Sequence, residues 1–258
     1  MRMEDRFKDY EAIAGTTLPR HAYTIVRVDG RAFHTYTKGF TEPFSRVLAD
    51  AIDASAQALC EEISGSIFAY TQSDEISVLF ADISPDSQPW FGGNVQKIVS
   101  VTSSIVTAVF NRKIDELTLG ETKKLAHFDS RVFTVPNQSE ATNYFLWRQR
   151  DAVRNSISMA ARAFLSHNQV QERKVDELRQ MLKEQGGFDW DECWTRFRRG
   201  GVVRKHEGEG EVTYTDKRTG EEQTIVAARS WWATHPADAF EHSTLSEMLF
   251  SPRALEPA

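Results

Sequence analysis

Apolar, β-branched and aromatic residues dominate "YTIVRV" (23–28), a run that stops at Asp29-Gly30. That pattern predicts a first strand closed by a turn. From about 44 to 64, Phe44, Val47, Leu48, Ala51, Ile52, Leu59 and Ile63 recur at helical spacing. Strand-like runs return near 66–71 and 76–81, joined by the polar stretch "QSDE". A second helical period runs from about 92 to 115 through Val95, Ile98, Val99, Thr102, Ile105, Val109 and Phe110. "FDSRVFTV" (128–135) reads as a fourth strand, stopped by Pro136. The order β-α-β-β-α-β is the split βαβ, ferredoxin-like pattern.

Past Pro136 the pattern predicts a helix over 139–166 capped by Ser139, then an exposed helix over 171–185 ending at Gly186-Gly187. The remainder, about 200–258, reads as irregular and β-rich, with a hairpin in "TYTDKRTGEEQTIV" turning at Lys217–Gly220. The expected class is α+β. A first domain occupies 1–138, and a helical and β-rich extension, 139–258, packs against it.

This order brings distant acids together. With right-handed crossovers, strands one and two run parallel and strand three inserts antiparallel between them. Asp29 then shares a sheet end with Asp74 and Glu75 in the turn between strands two and three. Taken alone, Asp74-Glu75 reads as a solvated turn. Asp29 changes the balance, because clustered carboxylates are costly without a cation to share. Hard oxygen ligands at a strand end suit Mg²⁺, above all where substrate phosphates supply further ligands.

At 258 residues, with 40% hydrophobic and 26% charged positions, the chain has the composition of an ordinary globular protein. No apolar run approaches the roughly 18 residues of a membrane span. The polar "MRMEDRFKDYEAIAG" resembles neither a signal nor a transit peptide, and Cys60 and Cys193 belong to no CxxC motif. Both features lead to an expectation of a cytoplasmic protein without a membrane partner. A net charge of −6 argues against nonspecific coating of nucleic acid but leaves room for a local basic patch. Two candidates are "WTRFRRGGVVRKH" (194–206), with Arg196, Arg198, Arg199, Arg204 and Lys205, and the trio Arg148, Arg150 and Arg154. Each reads equally as a solvated face.

Several stretches, in order, resemble the tRNA-His guanylyltransferase family, including its branch of tRNA-repairing 3′-to-5′ polymerases. They are "DRFKDYE" (5–11), "RVDGRAFHTYTKGF" (27–40), "YTQSDEISVLF" (70–80), "FGGNVQKIVSVTSS" (91–104), "FDSRVFTVP" (128–136) and "NYFLWRQRDAVRNSI" (143–157). The resemblance covers about residues 5–205. It implies a polymerase-like palm domain over 1–138 and nucleotide addition to the 5′ end of a tRNA. The 5′ end is first activated, by adenylylation from ATP or as an existing triphosphate, and the 3′-hydroxyl of GTP or another nucleotide then attacks it. Two Mg²⁺ ions serve both steps. By the motif match, Asp29 and Asp74 carry the metals with the Gly30 carbonyl, and Glu75 assists as a third catalytic acid. A homo-oligomer, tetramer or dimer, is also implied.

The match places the nucleotide on "DGRAFH" and its neighbours. Gly30 lets the backbone approach phosphate, and the N–H groups of Arg31, Ala32, Phe33 and His34 donate to it. Ser73 adds a hydroxyl beside Asp74. From the residues alone, His34 reads as a half-buried histidine and Phe33 as a core aromatic. Lys97, Ser100 and Ser104 share one helix face and could meet a second phosphate group, or form a plain exposed face. Arg154, Asn155, Arg198 and Arg199 are the expected tRNA contacts.

Two departures from the family pattern matter. Glu42-Pro43 stands where a Lys-Pro pair is common, so Lys38 or Arg46 would have to neutralise phosphate. "VRNSISM" (153–159) stands where the eukaryotic guanylyltransferases carry "HINNLYN". This second departure indicates template-dependent repair, with the dedicated guanylyltransferase that adds one untemplated guanosine as the alternative. An RNA-recognition module shares the β-α-β-β-α-β order but lacks its aromatic strand pattern here. A nucleotide cyclase would use the acids but leaves "WRQRDAVRNSI" unexplained.

Overall fold

The computed structural model describes residues 2–83, 86–122 and 124–251. Strand β1 (Tyr23–Gly30) lies at the centre of the first unit, followed by the short helix α2 (Phe33–Tyr36) and by α3 (Arg46–Glu62). Strands β2 (Ser66–Gln72) and β3 (Glu75–Ala81), helix α4 (Val95–Thr118) and strand β4 (Phe128–Val135) complete that unit. A short helix α1 (Met3–Glu11) precedes it. Beyond it come α5 (Gln138–Phe164), α6 (His167–Val170), α7 (Val175–Glu184), α8 (Thr195–Arg199), β5 (Gly201–Thr215), β6 (Glu222–Pro236) and α9 (His242–Phe250). Among the described residues no helix is long and apolar enough to cross a membrane.

The strands form one six-stranded sheet in the order β4-β1-β3-β2-β5-β6, antiparallel at every seam. β3 therefore sits between β1 and β2, which run parallel to each other. The expected irregular tail is instead ordered. Thr71 pairs with Gly201, so β5 extends the sheet past the 138/139 boundary, and β6 pairs with β5 along its whole length. The hairpin turn lies where the sequence placed it, but each arm is 15 residues long.

Alternation along the central strands sorts two cores. Val26, Val28, Ile76 and Val78 face α3 and α4, meeting Ile52, Leu59, Ile98 and Phe110. Ile25, Phe68, Tyr70 and Leu79 face the opposite side, against Phe145 of α5 and Leu245 and Leu249 of α9. α5 spans about 40 Å at 1.5 Å per residue, longer than the seven- and eight-residue strands β1 to β4. Its C-terminal half leaves the sheet and packs Ile157 and Ala161 against Leu178 and Leu182 of α7.

Local details correct three boundaries. Asn137, not Ser139, caps α5, its side chain accepting from the Glu140 N–H at 2.9 Å. The helix expected over 171–185 starts only at Val175, as α7; the short α6 precedes it, and between the two Glu172 takes a left-handed backbone with φ of 61°. α9 carries no strong sequence signal but closes the second core through Leu245 and Leu249.

Candidate functional site

The turn between β2 and β3 is Ser73-Asp74, with Gln72 and Glu75 paired across it and Ser73 left-handed at φ 48°. Asp29, next to last in β1, lies directly across from Glu75 on one side and Asp129 of β4 on the other. Gly30, one residue on, faces the opposite side of the sheet. A Cβ built there would stand 2.8 Å from Asp74 Oδ2 and 2.4 Å from the Phe33 ring. Only glycine lets Asp74 lie against the end of β1. Asp29, Gly30, Asp74 and Glu75 thus meet at one sheet end.

The adjacent acids Asp74 and Glu75 go different ways. Glu75 is buried, its carboxylate held by the Arg148 guanidinium through Nε at 2.8 Å and Nη2 at 2.6 Å. Asp74 lines a cavity of about 410 Å³ and finds no cationic partner among the described residues. Burial, then the Asp29 carboxylate and more weakly Glu75, push its carboxyl up to about 6, against the pull of its own backbone N–H and the Ser73 hydroxyl. Among the described residues no three side chains of His, Cys, Asp or Glu form a metal cluster. Asp29 and Asp74, with Asp129 across from Asp29, put carboxylate oxygens at this end. That set leaves positions for phosphate and water, as Mg²⁺ sites commonly do.

The raised carboxyl has a measurable consequence. At pH 5 the folded chain holds the Asp74 proton that the unfolded chain has released. Its contribution to stability is therefore full below about pH 4 and is lost as pH rises through 6, at about 1.4 kcal/mol per pH unit in between. Without divalent cations, Asp74→Asn is expected to raise the thermal midpoint at pH 7.5 and to leave it unchanged at pH 4. Calorimetry at the two pH values checks this; a variant no more stable at pH 7.5 contradicts it.

The cavity lies between α2, the loop before α3, the β2–β3 turn, α5 and α8. Phe33, His34, Ser73 and Asp74 line it as the DGRAFH and QSDE stretches suggested, and Asn155 joins them from α5. Arg31 differs: its N–H donates to the His127 carbonyl at 2.8 Å and is not free for phosphate. Ala32 takes a left-handed backbone just before α2, leaving the Phe33 and His34 N–H groups without helical acceptors. Lys97, Ser100 and Ser104 are exposed on α4, and none lines the cavity.

Neither expected substitute for the missing lysine reaches the cavity. Lys38 is outside its lining, and the Arg46 guanidinium rests 4.6 Å from the Trp194 ring. Arg162 of α5 does line it, as does Glu42. The sequence reasoning passed over Arg162 together with Ala152, Ser156 and Met159. Their spacing from Asn155 is helical, so a face count along α5 would have found them. Phe44 and Phe197 form a stacked aromatic wall, ring centroids 4.9 Å apart.

The basic stretches prove divided. Arg148 pairs with Glu75, and Arg196 is buried against Asp53, with Nε and Nη2 bonds of 2.9 and 2.6 Å. Neither belongs to a solvated patch. Arg154 is exposed and donates to Asp151 at 2.5 Å. Arg198 and Arg199 are half-buried. The Arg198 guanidinium donates to Thr195 and lies 5.5 Å from the Trp190 ring, while the Arg199 carbonyl accepts from the Tyr70 hydroxyl at 2.6 Å.

Residues 4–136 match the family described as tRNAHis guanylyltransferase. Among solved structures, a bacterial tRNA(His) guanylyltransferase-like protein in complex with ATP superposes with a TM-score of 0.82 at 33% identity, covering 96% of this chain and 99% of that one. A bacterial guanylyltransferase-like protein in complex with GTP gives 0.72 at 34%, covering 96% of each. The tRNA(His) guanylyltransferase 1 of Arabidopsis thaliana is 26% identical over 237 residues, 83% of this chain but 41% of the plant protein. The chain thus spans less than half the length of that relative.

Proposed function

Because the chain belongs to the tRNAHis guanylyltransferase family, we propose that it is a nucleotidyltransferase that extends the 5′ end of tRNA in the 3′-to-5′ direction, using ATP, GTP and other nucleoside triphosphates. The observation that carries this reading is the pairing of Asp29 with Asp74 beside a nucleotide-sized cavity lined by Asp74 itself. In the reading, the first unit works as a polymerase-like palm. Asp29, Asp74 and the Gly30 carbonyl would hold Mg²⁺, which when bound lowers the pKa of the attacking hydroxyl and stabilises the leaving oxygen. The mutual repulsion of Asp29 and Asp74 fits that role.

The chain's own residues bind and orient. His34, Arg162 and the free N–H groups of Phe33 and His34 receive the triphosphate, taking over from the lysine that Glu42 displaces. The Phe44–Phe197 wall offers an apolar surface to the base. Glu75 serves the site from behind Asp74 rather than from within the cavity. In the addition step the nucleotide's 3′-oxygen bonds to the activated 5′ phosphorus as the bond to the activating group breaks. Catalysis of such a transfer is chiefly positioning and charge stabilisation. Arg154, Arg198 and Arg199 are the proposed tRNA contacts.

"VRNSISM" on α5 favours templated addition, with base pairing across the acceptor stem aligning the incoming hydroxyl. The test uses a tRNA lacking its first nucleotide, with the opposing base varied through all four identities and each nucleotide offered separately. The added base is expected to follow the template. Guanosine added whatever the template would place the protein among the dedicated guanylyltransferases.

A further inference from the structure

Arg148 is a buried cation that binds neither the cavity nor solvent. It is 5% exposed and grips both oxygens of Glu75, the residue that follows Asp74 and pairs across the strands with Asp29. Its Nη2 also reaches Asp151 at 3.2 Å. Asp151 in turn accepts from Arg154 and, at 3.4 Å, from Asn155 of the cavity wall. Glu75 is held further by Arg27 at 3.7 Å and by the Ser77 hydroxyl at 3.4 Å. One chain of ionic contacts therefore runs from the strand end that carries the acids to the α5 face that lines the cavity.

Stability alone does not account for such a pair, since well-packed apolar residues often replace a buried ion pair at no loss. A two-pronged guanidinium–carboxylate contact does something else: its planar fork fixes direction as well as distance. Here it ties the first residue of β3 to α5, across the sheet from the cavity-facing side of Asp74. We propose that Arg148 is a positioning residue, which acts through Glu75 to hold the Asp29–Asp74 pair in register with the α5 wall of the nucleotide cavity. The inference rests on the reading of Asp29 and Asp74 as the reacting centre. Displacing a reacting group by about 1 Å can cost about a hundredfold in rate. Loss of a partner that orients a metal ligand typically costs about 10- to 100-fold in metal affinity or activity.

The experiment compares the wild type with Arg148→Met, Arg148→Lys and the double variant Glu75→Met/Arg148→Met, all as full chains. It reads three quantities: the Mg²⁺ midpoint of the thermal shift in the presence of ATP, the ATP dissociation constant, and kcat and KM for addition to 5′-truncated tRNA. Arg148→Met is expected to raise the Mg²⁺ midpoint about tenfold or more and to lower kcat about a hundredfold, with ATP affinity within about threefold. Arg148→Lys, which keeps the charge but not the fork, recovers only part of each. The double variant regains the thermal midpoint while its kcat and Mg²⁺ midpoint stay impaired. An unchanged Mg²⁺ midpoint and kcat in folded Arg148→Met, or their full recovery in the double variant, overturns the inference. A wild type that adds nothing to tRNA would refute the functional reading instead, and the Mg²⁺ titration would still decide the role of Arg148.

Discussion

Asp29→Ala or Asp74→Ala is expected to reduce nucleotide addition to tRNA by about a thousandfold or more, since several kcal/mol of charge stabilisation at a phosphoryl centre is at stake and each 1.36 kcal/mol is a factor of ten. The loss should reach both activation of the 5′ end and the addition that follows, because both need the same pair. Neither variant should unfold. Asp74 is buried beside the Asp29 carboxylate, so its removal relieves repulsion and a desolvation cost. Circular dichroism establishes the folded state, and single-turnover assays of each step read the effect. Near-wild-type activity in either folded variant would remove the acid pair from the chemistry.

Gly200→Ala is expected to destabilise the fold by about 3 kcal/mol or more, through backbone strain combined with overpacking. Gly200 joins α8 to β5 at φ 84°, ψ −170°, a region that is essentially glycine's alone. A Cβ there would stand 2.3 Å from the Thr71 carbonyl oxygen and 2.6 Å from the Tyr70 hydroxyl. The first contact is with backbone, so no side-chain rotation relieves it. The seam it would force apart joins β2 to β5, and Gly200 itself donates to Arg196 and accepts from Ala237 there. Urea unfolding measures the loss; a change below about 1 kcal/mol would contradict the geometry.

The first unit was legible because its signals are local. β1 to β4, α3 and α4 each repeat at the period of their own element, and the right-handed crossover rule then places Asp29 beside the β2–β3 turn. Gly30 fitted the same logic, as a glycine at a strand end close to an acid. What the sequence hid depends on pairings between distant residues. Arg148 stands 73 positions from Glu75, and Arg196 stands 143 from Asp53, so their basic stretches read as patches although one arginine of each is buried in an ion pair. The β5–β6 arms lack a clean alternation; β2 pairs only with Gly201, Val202 and Val203 at the root of β5, and the rest is sheet through pairing of the two arms with each other. At the start of α5, Asn137 and Ser139 are both good capping residues, and the backbone selects the one before the first turn. In the sequence Glu75 reads as one more acid of the centre. Strand parity and Arg148 draw its carboxylate into the ion pair instead.

The most direct test of the account follows the position of the label after incubating the purified protein with Mg²⁺, ATP, α-³²P-labelled GTP and a tRNA that lacks its first nucleotide opposite a cytosine. The account predicts label joined to the 5′ end of the tRNA through a 3′–5′ phosphodiester bond, present with wild type and absent with Asp74→Ala. Label at the 3′ end, or a cyclic nucleotide formed without any RNA, would contradict it.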